Sequence, residues 1–170
     1  MDYRKISTLV IIGLTSVFSI FIPVNTIFGM TNVDVLKGAL TSLQNDENGK
    51  RTWIISGVFR IDNFNSSSPI VNASFYMIKL DGTSPHIHTI SDFKMNGNPT
   101  VSSNSTTING TATITMKNGP VKDVPISIKL IDKSAVSIWF DPVKTEKHFG
   151  NTVIYGTQHL ICVEKPEYCK

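Results

Sequence analysis

The sequence predicts an all-β protein: a single antiparallel β-sandwich or barrel of about eight strands, preceded by an N-terminal signal or anchor helix. Three observations favour this fold class. Apolar and polar residues alternate in several segments, as they do in half-buried strands. Short stretches rich in Gly, Asn, Asp, Ser and Pro, such as "NDENGK" and "KNGPVKD", separate these segments. The segments recur at intervals of roughly ten residues with no long helical pattern between them.

The predicted strands follow one another along the chain with short turns between them. They cover residues 38–44, 52–62, 70–80, 85–93, 107–117, 123–131, 134–141 and 152–162. The alternation is cleanest in "TINGTATITMK". The segments "IVNASFYMIKL" and "TVIYGTQHLIC" are apolar on both faces, so we expect two central strands that are covered on each side. Before the first strand, "TNVDVLKG" is expected to be a helical turn or a linker, and "DPVKTEKHFGN" is expected to carry one helical turn.

The first 29 residues differ from the rest of the chain because they contain a long uncharged apolar run. Arg4 and Lys5 precede an uncharged apolar run over residues 6–24. A basic start followed by an apolar run is typical of a secretory signal, although a run of roughly 19 residues is also long enough to span a bilayer as an anchor. We therefore expect residues 1–29 to be a signal peptide or an N-terminal membrane anchor. Residues 30–170 are expected to form one extracytoplasmic β domain, which contacts a membrane only through an uncleaved leader.

The cysteines and the charges fit that compartment. Cys162 and Cys169 are expected to form a disulfide in an oxidising space, with two unpaired thiols as the alternative. The net charge is +3 and the basic residues are scattered, so the sequence lacks the basic stripe of a nucleic-acid-binding protein. Four Asn residues, Asn65, Asn72, Asn104 and Asn109, stand in glycosylation sequons.

Two of the four histidines stand one residue apart in "SPHIHTISDF". On a strand, His86 and His88 share one face about 7 Å apart, so two imidazoles can converge on one metal ion. The alternative is a pair of polar residues that bind nothing. The opposite face carries Ile87 and Phe93 and is expected to be the more buried one, which turns the histidines outward or into a cavity.

A metal site needs further ligands, and the late part of the chain offers them. His148 lies in a predicted loop, where its side chain can adopt many orientations, and it is the preferred third ligand. His159 and Asp92 are further candidates. Imidazole-rich sites suit copper or zinc. The sequence carries no nucleophile elbow, P-loop or dinucleotide fingerprint. A binding or accessory role at the cell surface is therefore expected in preference to catalysis.

Two resemblances accompany this interpretation. "GTSPHIHTISDFKMNG" resembles the first cupin motif, which implies a metalloenzyme with His86, His88 and Asp92 as ligands. The segments "VSIWFDP" and "HFGNTVIYGT" are similar to those of small exported proteins of ammonia-oxidising archaea. That resemblance implies an exported single domain and supplies no catalytic residue. A non-catalytic module that contacts another protein of the cell envelope or membrane remains the alternative function.

Overall fold

The chain forms nine β-strands in the part that the computed structural model describes, which is residues 35–46, 48–64, 66–132, 134–150 and 152–158. The strands are β1 (Val35–Asn45), β2 (Arg51–Asp62), β3 (Ile70–Lys79), β4 (His86–Met95), β5 (Thr100–Val101), β6 (Ser105–Met116), β7 (Gly119–Ile131), β8 (Ala135–Phe140) and β9 (Ile154–Gln158). The prediction of an all-β fold is confirmed. No helix long and apolar enough to cross a membrane occurs in these described ranges.

Eight of the strands close into an antiparallel barrel, in the order β1-β2-β3-β4-β6-β7-β8-β9. Pairing of β4 with β6 and of β1 with β9 completes the ring, so the barrel is a meander of successive strands that skips β5 and pairs the last strand with the first. The choice left open by the sequence, between sandwich and barrel, is thus resolved as a barrel. Closure removes the exposed sheet edges that an open sheet would present. The short β5 pairs with β6 beside the barrel and was not predicted.

The core fills the inside of the barrel with one face of each of its eight strands. Alternate residues of β7 and β8 point inward as the sequence pattern predicts; these are Val124, Ile126, Ile128, Leu130, Val136, Ile138 and Phe140. An eight-stranded barrel is just wide enough for side chains to fill it. Gly57 makes room for one of the large side chains, because a Cβ at this position would overlap Phe75 on the neighbouring strand.

The expectation that β3 and β9 are covered on both faces is wrong. Both strands alternate between buried and exposed residues, and the outward-facing Tyr76 and Tyr155 are 59% and 53% exposed. The reason is architectural: a closed single-layer barrel buries only its inner face, so outward apolar side chains have no second layer above them. The expected linker before the first strand is also wrong for residues 35–38, which already belong to β1.

The segment between β8 and β9 folds over one end of the barrel, and we call residues 141–150 the cap. It consists of consecutive turns, in one of which the Thr145 amide donates to the Asp141 carbonyl oxygen at 3.2 Å. The cap then places Phe149, which is 2% exposed, inside the barrel end. Gly150 follows with φ of 68°, a conformation that glycine adopts without strain. The segment expected to carry one helical turn contains hydrogen-bonded turns and no helix in its described residues 141–150.

Several predictions fall on residues outside the described ranges. They are the leader at 1–29, His159, and the disulfide between Cys162 and Cys169. The structure offers no test of these predictions.

Candidate metal centre

The histidine pair lies on the inner face of β4, at the end of the barrel that the cap covers. His88 is 2% exposed, whereas Ile87 between the two histidines is 50% exposed. The expectation that Ile87 shares the buried face is therefore wrong, and the histidines point into the barrel. Phe93, which was grouped with Ile87, does pack against the core. The two residues thus lie on opposite faces despite being six positions apart.

A β-bulge explains why the alternation changes phase along β4. In the pairing with β6, Ser91 is opposite Thr113 and Lys94 is opposite Thr111, so two residues of β4 face one residue of β6. Asp92 takes up the extra length with φ of 53°, in the left-handed region that Asp tolerates better than most residues. Residues before the bulge point inward at even positions and residues after it at odd positions. Without the bulge, either the histidines or Phe93 would face solvent.

The third histidine comes from the cap. In the ring of strands, β4 is three strands from β8 and four from β9, which flank the cap. His148 therefore reaches β4 across the end of the barrel. A short chain of turns holds it there, in which the His148 amide donates to the Thr145 carbonyl oxygen at 2.9 Å. The side chain of Thr145 is buried, and its Oγ1 donates to the Asp141 carbonyl oxygen at 3.0 Å.

The three imidazoles converge through their Nε2 atoms. His148 Nε2 lies 3.1 Å from His86 Nε2 and 3.0 Å from His88 Nε2, and one candidate ligand atom from each ring lies within 4.8 Å of the other two. Two nitrogens that bind one ion at about 2.0–2.1 Å with a tetrahedral angle are separated by roughly 3.3 Å. The two separations from His148 are within a few tenths of an ångström of that value. The cluster of His86, His88 and His148 could therefore hold a metal ion.

Backbone carbonyls set the orientation of the two strand histidines. His86 Nδ1 lies 2.9 Å from the Ser84 carbonyl oxygen, and His88 Nδ1 lies 2.5 Å from the Thr115 carbonyl oxygen. A carbonyl oxygen can only accept, so each Nδ1 carries the proton and donates it. In the neutral rings, both Nε2 atoms then present a lone pair toward His148. Hydrogen bonding of the distal ring nitrogen is the usual way that proteins fix a metal-binding histidine.

The hydroxyl of Thr115 keeps its own carbonyl available for His88. Ile90 pairs with Ile114, which places Thr89 opposite Thr115 one residue further along. The Thr89 amide donates to Thr115 Oγ1 at 2.7 Å. In a regular antiparallel ladder, the Thr89 amide would donate to the backbone carbonyl oxygen of Thr115. Here it donates to the Thr115 hydroxyl instead, and the Thr115 carbonyl oxygen accepts from His88 Nδ1.

The proton count of the cluster favours a cation at its centre. In neutral rings with the proton on Nδ1, the Nε2 atoms of His86 and His88 are both acceptors, and His148 Nε2 carries at most one proton. One proton cannot make two well-directed hydrogen bonds to acceptors in different directions, so one of the two close contacts brings lone pairs together. A metal ion bound by all three Nε2 atoms removes this conflict.

Burial keeps the histidines in the form that binds metals. Burial, together with the nearby His88 and His86, lowers the pKa of His148 to about 4. Burial also lowers the pKa of His88, against an opposing effect of its hydrogen bond to the Thr115 carbonyl oxygen. Both rings are therefore neutral at pH 7, and a metal ion need not displace a proton from them.

Aromatic side chains surround the cluster. Phe149 packs on His88 and His148 with ring centroids 5.0 and 5.2 Å apart, and the Phe75 centroid lies 5.7 Å from that of His88. Trp53 meets His86 edge to face with centroids 5.2 Å apart. These rings exclude water from the inner side of the cluster and restrict the rotation of the imidazoles.

The structure brings together three of the predicted ligands and leaves one apart. Asp92 is exposed, and its carboxylate accepts from Ser91 Oγ at 3.2 Å. It does not belong to the group of close ligand atoms found among the described residues. The sequence reasoning missed Thr115 and Phe149. The aromatic residue directly after His148 was a usable signal for Phe149, whereas nothing in the sequence marks Thr115 among the many threonines of β6.

Comparison with known proteins adds no relative. No protein-family profile matches the chain, no curated protein matches its sequence, and no solved structure matches its fold.

Proposed function

We propose that this protein binds a copper or zinc ion through Nε2 of His86, His88 and His148, and acts outside the cytoplasm in metal binding or in an accessory role at the cell surface. The observation that carries the proposal is the convergence of the three Nε2 atoms on one point in the mouth of a β-barrel. Two of these rings are fixed by carbonyl acceptors at Nδ1.

Copper is the favoured metal within this proposal. Imidazole nitrogen suits both copper and zinc, and a given set of nitrogen ligands binds Cu²⁺ more tightly than Zn²⁺. The cluster brings no thiolate and no carboxylate among the described residues. It therefore lacks the ligand types that favour iron–sulfur clusters or the harder ions magnesium, calcium and manganese.

Metal analysis of the purified full-length chain tests the proposal. We expect about one copper or zinc per chain, and we expect His86→Ala, His88→Ala and His148→Ala each to lower the affinity by more than the roughly 10–100-fold that loss of an outer-shell partner costs. Calorimetric titration with Cu²⁺ and with Zn²⁺ measures this. Retention of full affinity in the His86→Ala/His88→Ala double variant would refute the proposal.

Asp92→Asn is the matched control, since it removes a candidate ligand that lies on the same strand but outside the cluster. We expect unchanged metal affinity. A large loss of affinity in this variant would instead support the cupin-like alternative, in which Asp92 is a ligand. His159→Ala addresses the remaining candidate in the same titration.

The extracytoplasmic location is part of the proposal and is supported by Arg4, Lys5 and the apolar run over residues 6–24. Cell fractionation with N-terminal sequencing of the mature chain tests it. A chain that begins near residue 30 in the exported fraction indicates a cleaved signal, and an intact chain in the membrane fraction indicates an anchor. Recovery of the intact chain in the cytoplasm would contradict the proposal.

A second candidate function is an interaction module of the cell envelope. The observation that favours it is an outward apolar pair, Tyr76 and Ile87, which lie opposite each other on β3 and β4 and are 59% and 50% exposed. Exposed apolar residues that adjoin on a surface are typical of contact sites. Native purification of the wild-type chain and of Tyr76→Ser/Ile87→Ser tests it, with loss of a specific co-purifying protein as the expected result.

A further inference from the structure

The number of protein ligands in the cluster leaves room in the coordination sphere of a metal ion. The described residues place three imidazole nitrogens together. Closed structural zinc sites use four protein ligands, whereas sites with three protein ligands keep a fourth position for a small molecule. Copper and zinc bound by this cluster would both have such a position.

The charge of the site points to the kind of molecule that would occupy it. The three ligands are neutral imidazoles, so a bound divalent ion would keep its full double charge. The rings of Trp53, Phe75 and Phe149 pack on the ligands, and no carboxylate among the described residues joins the cluster to compensate this charge. An uncompensated charge in apolar surroundings is costly. An anion as fourth ligand lowers the net charge, whereas a neutral ligand does not.

The cluster is open on one side only. His88 is 2% exposed and is covered by Phe75 and Phe149. His86 and His148, at the start of β4 and in the cap, are only half-buried. An exogenous ligand would therefore approach past His86 and His148 from the barrel end. Small size is required, because the aromatic rings fill the inner side.

We propose that a metal ion held by His86, His88 and His148 binds a small anion as an exchangeable fourth ligand on the half-exposed side of the cluster. The proposal rests on the proposed function, since it requires the metal site. It defines the ligand class as small anions such as halides, pseudohalides or short carboxylates. It also defines the site as one that exchanges its ligand instead of one that only stabilises the fold.

Titration of the copper-loaded full-length chain with azide tests the proposal. We expect an azide-to-copper charge-transfer band in the visible spectrum that grows to saturation, and an altered electron paramagnetic resonance spectrum. Acetate and acetamide provide a matched pair of competitors, because they are similar in size and differ in charge. We expect acetate to reduce the azide band and acetamide at the same concentration to leave it unchanged.

The copper content after ultrafiltration distinguishes a failure of the metal site from a failure of the exchangeable fourth ligand. A chain that retains no copper refutes the metal site itself. A chain that keeps its copper but shows no spectral response to azide refutes the exchangeable ligand alone. Azide that strips copper from the chain, or acetamide that competes as well as acetate, overturns it too. His159→Ala completes the test: if only this variant responds to azide, the chain itself fills the fourth position.

Discussion

Replacement of Thr115 by Val tests whether the hydrogen-bond arrangement beside His88 controls metal affinity. The substitution is close to isosteric and exchanges the hydroxyl for a methyl group. It removes the acceptor of the Thr89 amide, which donates to Thr115 Oγ1 at 2.7 Å. The amide is left facing the Thr115 carbonyl oxygen, which already accepts from His88 Nδ1 at 2.5 Å. The two donors then compete, and the imidazole of His88 loses part of its fixation.

The expected loss of metal affinity follows from the proposed role of His88 as a ligand. Removal of an outer-shell partner typically costs 10–100-fold in affinity, about 1.4–2.7 kcal/mol. A carbonyl oxygen has two lone pairs and can accept both donors. We therefore expect a loss near the lower limit, of about 10-fold. The free energy of unfolding of the metal-free chain should fall by about 1 kcal/mol, because Thr115 Oγ1 no longer accepts from the Thr89 amide or, at 3.4 Å, from Thr89 Oγ1, while Val favours strands.

Copper titrations of four chains provide the assay: wild type, Thr115→Val, Thr115→Ser and Thr113→Val. Ser retains the hydroxyl and should restore wild-type affinity. Thr113 occupies the same face of β6 and pairs with Ser91, so its replacement controls for an added Val on this strand. Wild-type affinity in Thr115→Val, or an equal loss in Thr115→Ser, would refute the reasoning.

Two further predictions concern the cap and the buried histidines. Phe149→Ala removes a ring packed between Phe140 and Phe75 with centroids 4.8 and 5.8 Å away, so we expect the free energy of unfolding in denaturant to fall by about 3–5 kcal/mol. A loss below about 1 kcal/mol would contradict the packing. The metal-free chain should lose stability as the pH falls from about 6.5 to about 4, because burial holds the pKa of folded His148 at about 4 while the unfolded chain takes up a proton near 6.5. Urea unfolding across this pH range measures the effect; in His148→Asn the slope should be shallower, and an equal slope in that variant would contradict the assignment.

The sequence predicts the strands well because each strand buries a single face. Inward residues of β7 such as Val124 and Ile128 alternate with polar ones, and turns rich in Gly and Asn mark the ends. Closure into a barrel is harder to predict, since it depends on pairing between β1 and β9. These two strands are the first and the last in the described part of the chain, and no local pattern specifies their pairing.

His148 was predicted as the third candidate ligand, and it does lie beside His86 and His88, but its position relative to β4 could not be derived from the sequence. His148 meets His86 and His88 only because the cap crosses the end of a closed barrel from β8 and β9 toward the opposite wall. An open sandwich with the same strands would place the cap elsewhere. The metal-site hypothesis thus depended on tertiary structure that the spacing of histidines does not contain.

The bulge at Asp92 determines which way the histidine pair faces. A shift of one residue along a strand moves every side chain to the opposite face. In β4, the extra residue allows His86 and His88 before it, and Phe93 after it, to point inward in turn. With uninterrupted alternation, either the two histidines or Phe93 would have to face outward. Ile87 and Phe93 share one face in that alternation, which is why the sequence pattern placed Ile87 on the buried face. Asp92, the residue that resembles a cupin ligand, thus lies in the bulge itself. It adopts a positive φ there, and the bulge allows the two histidines of the same strand to face the barrel interior.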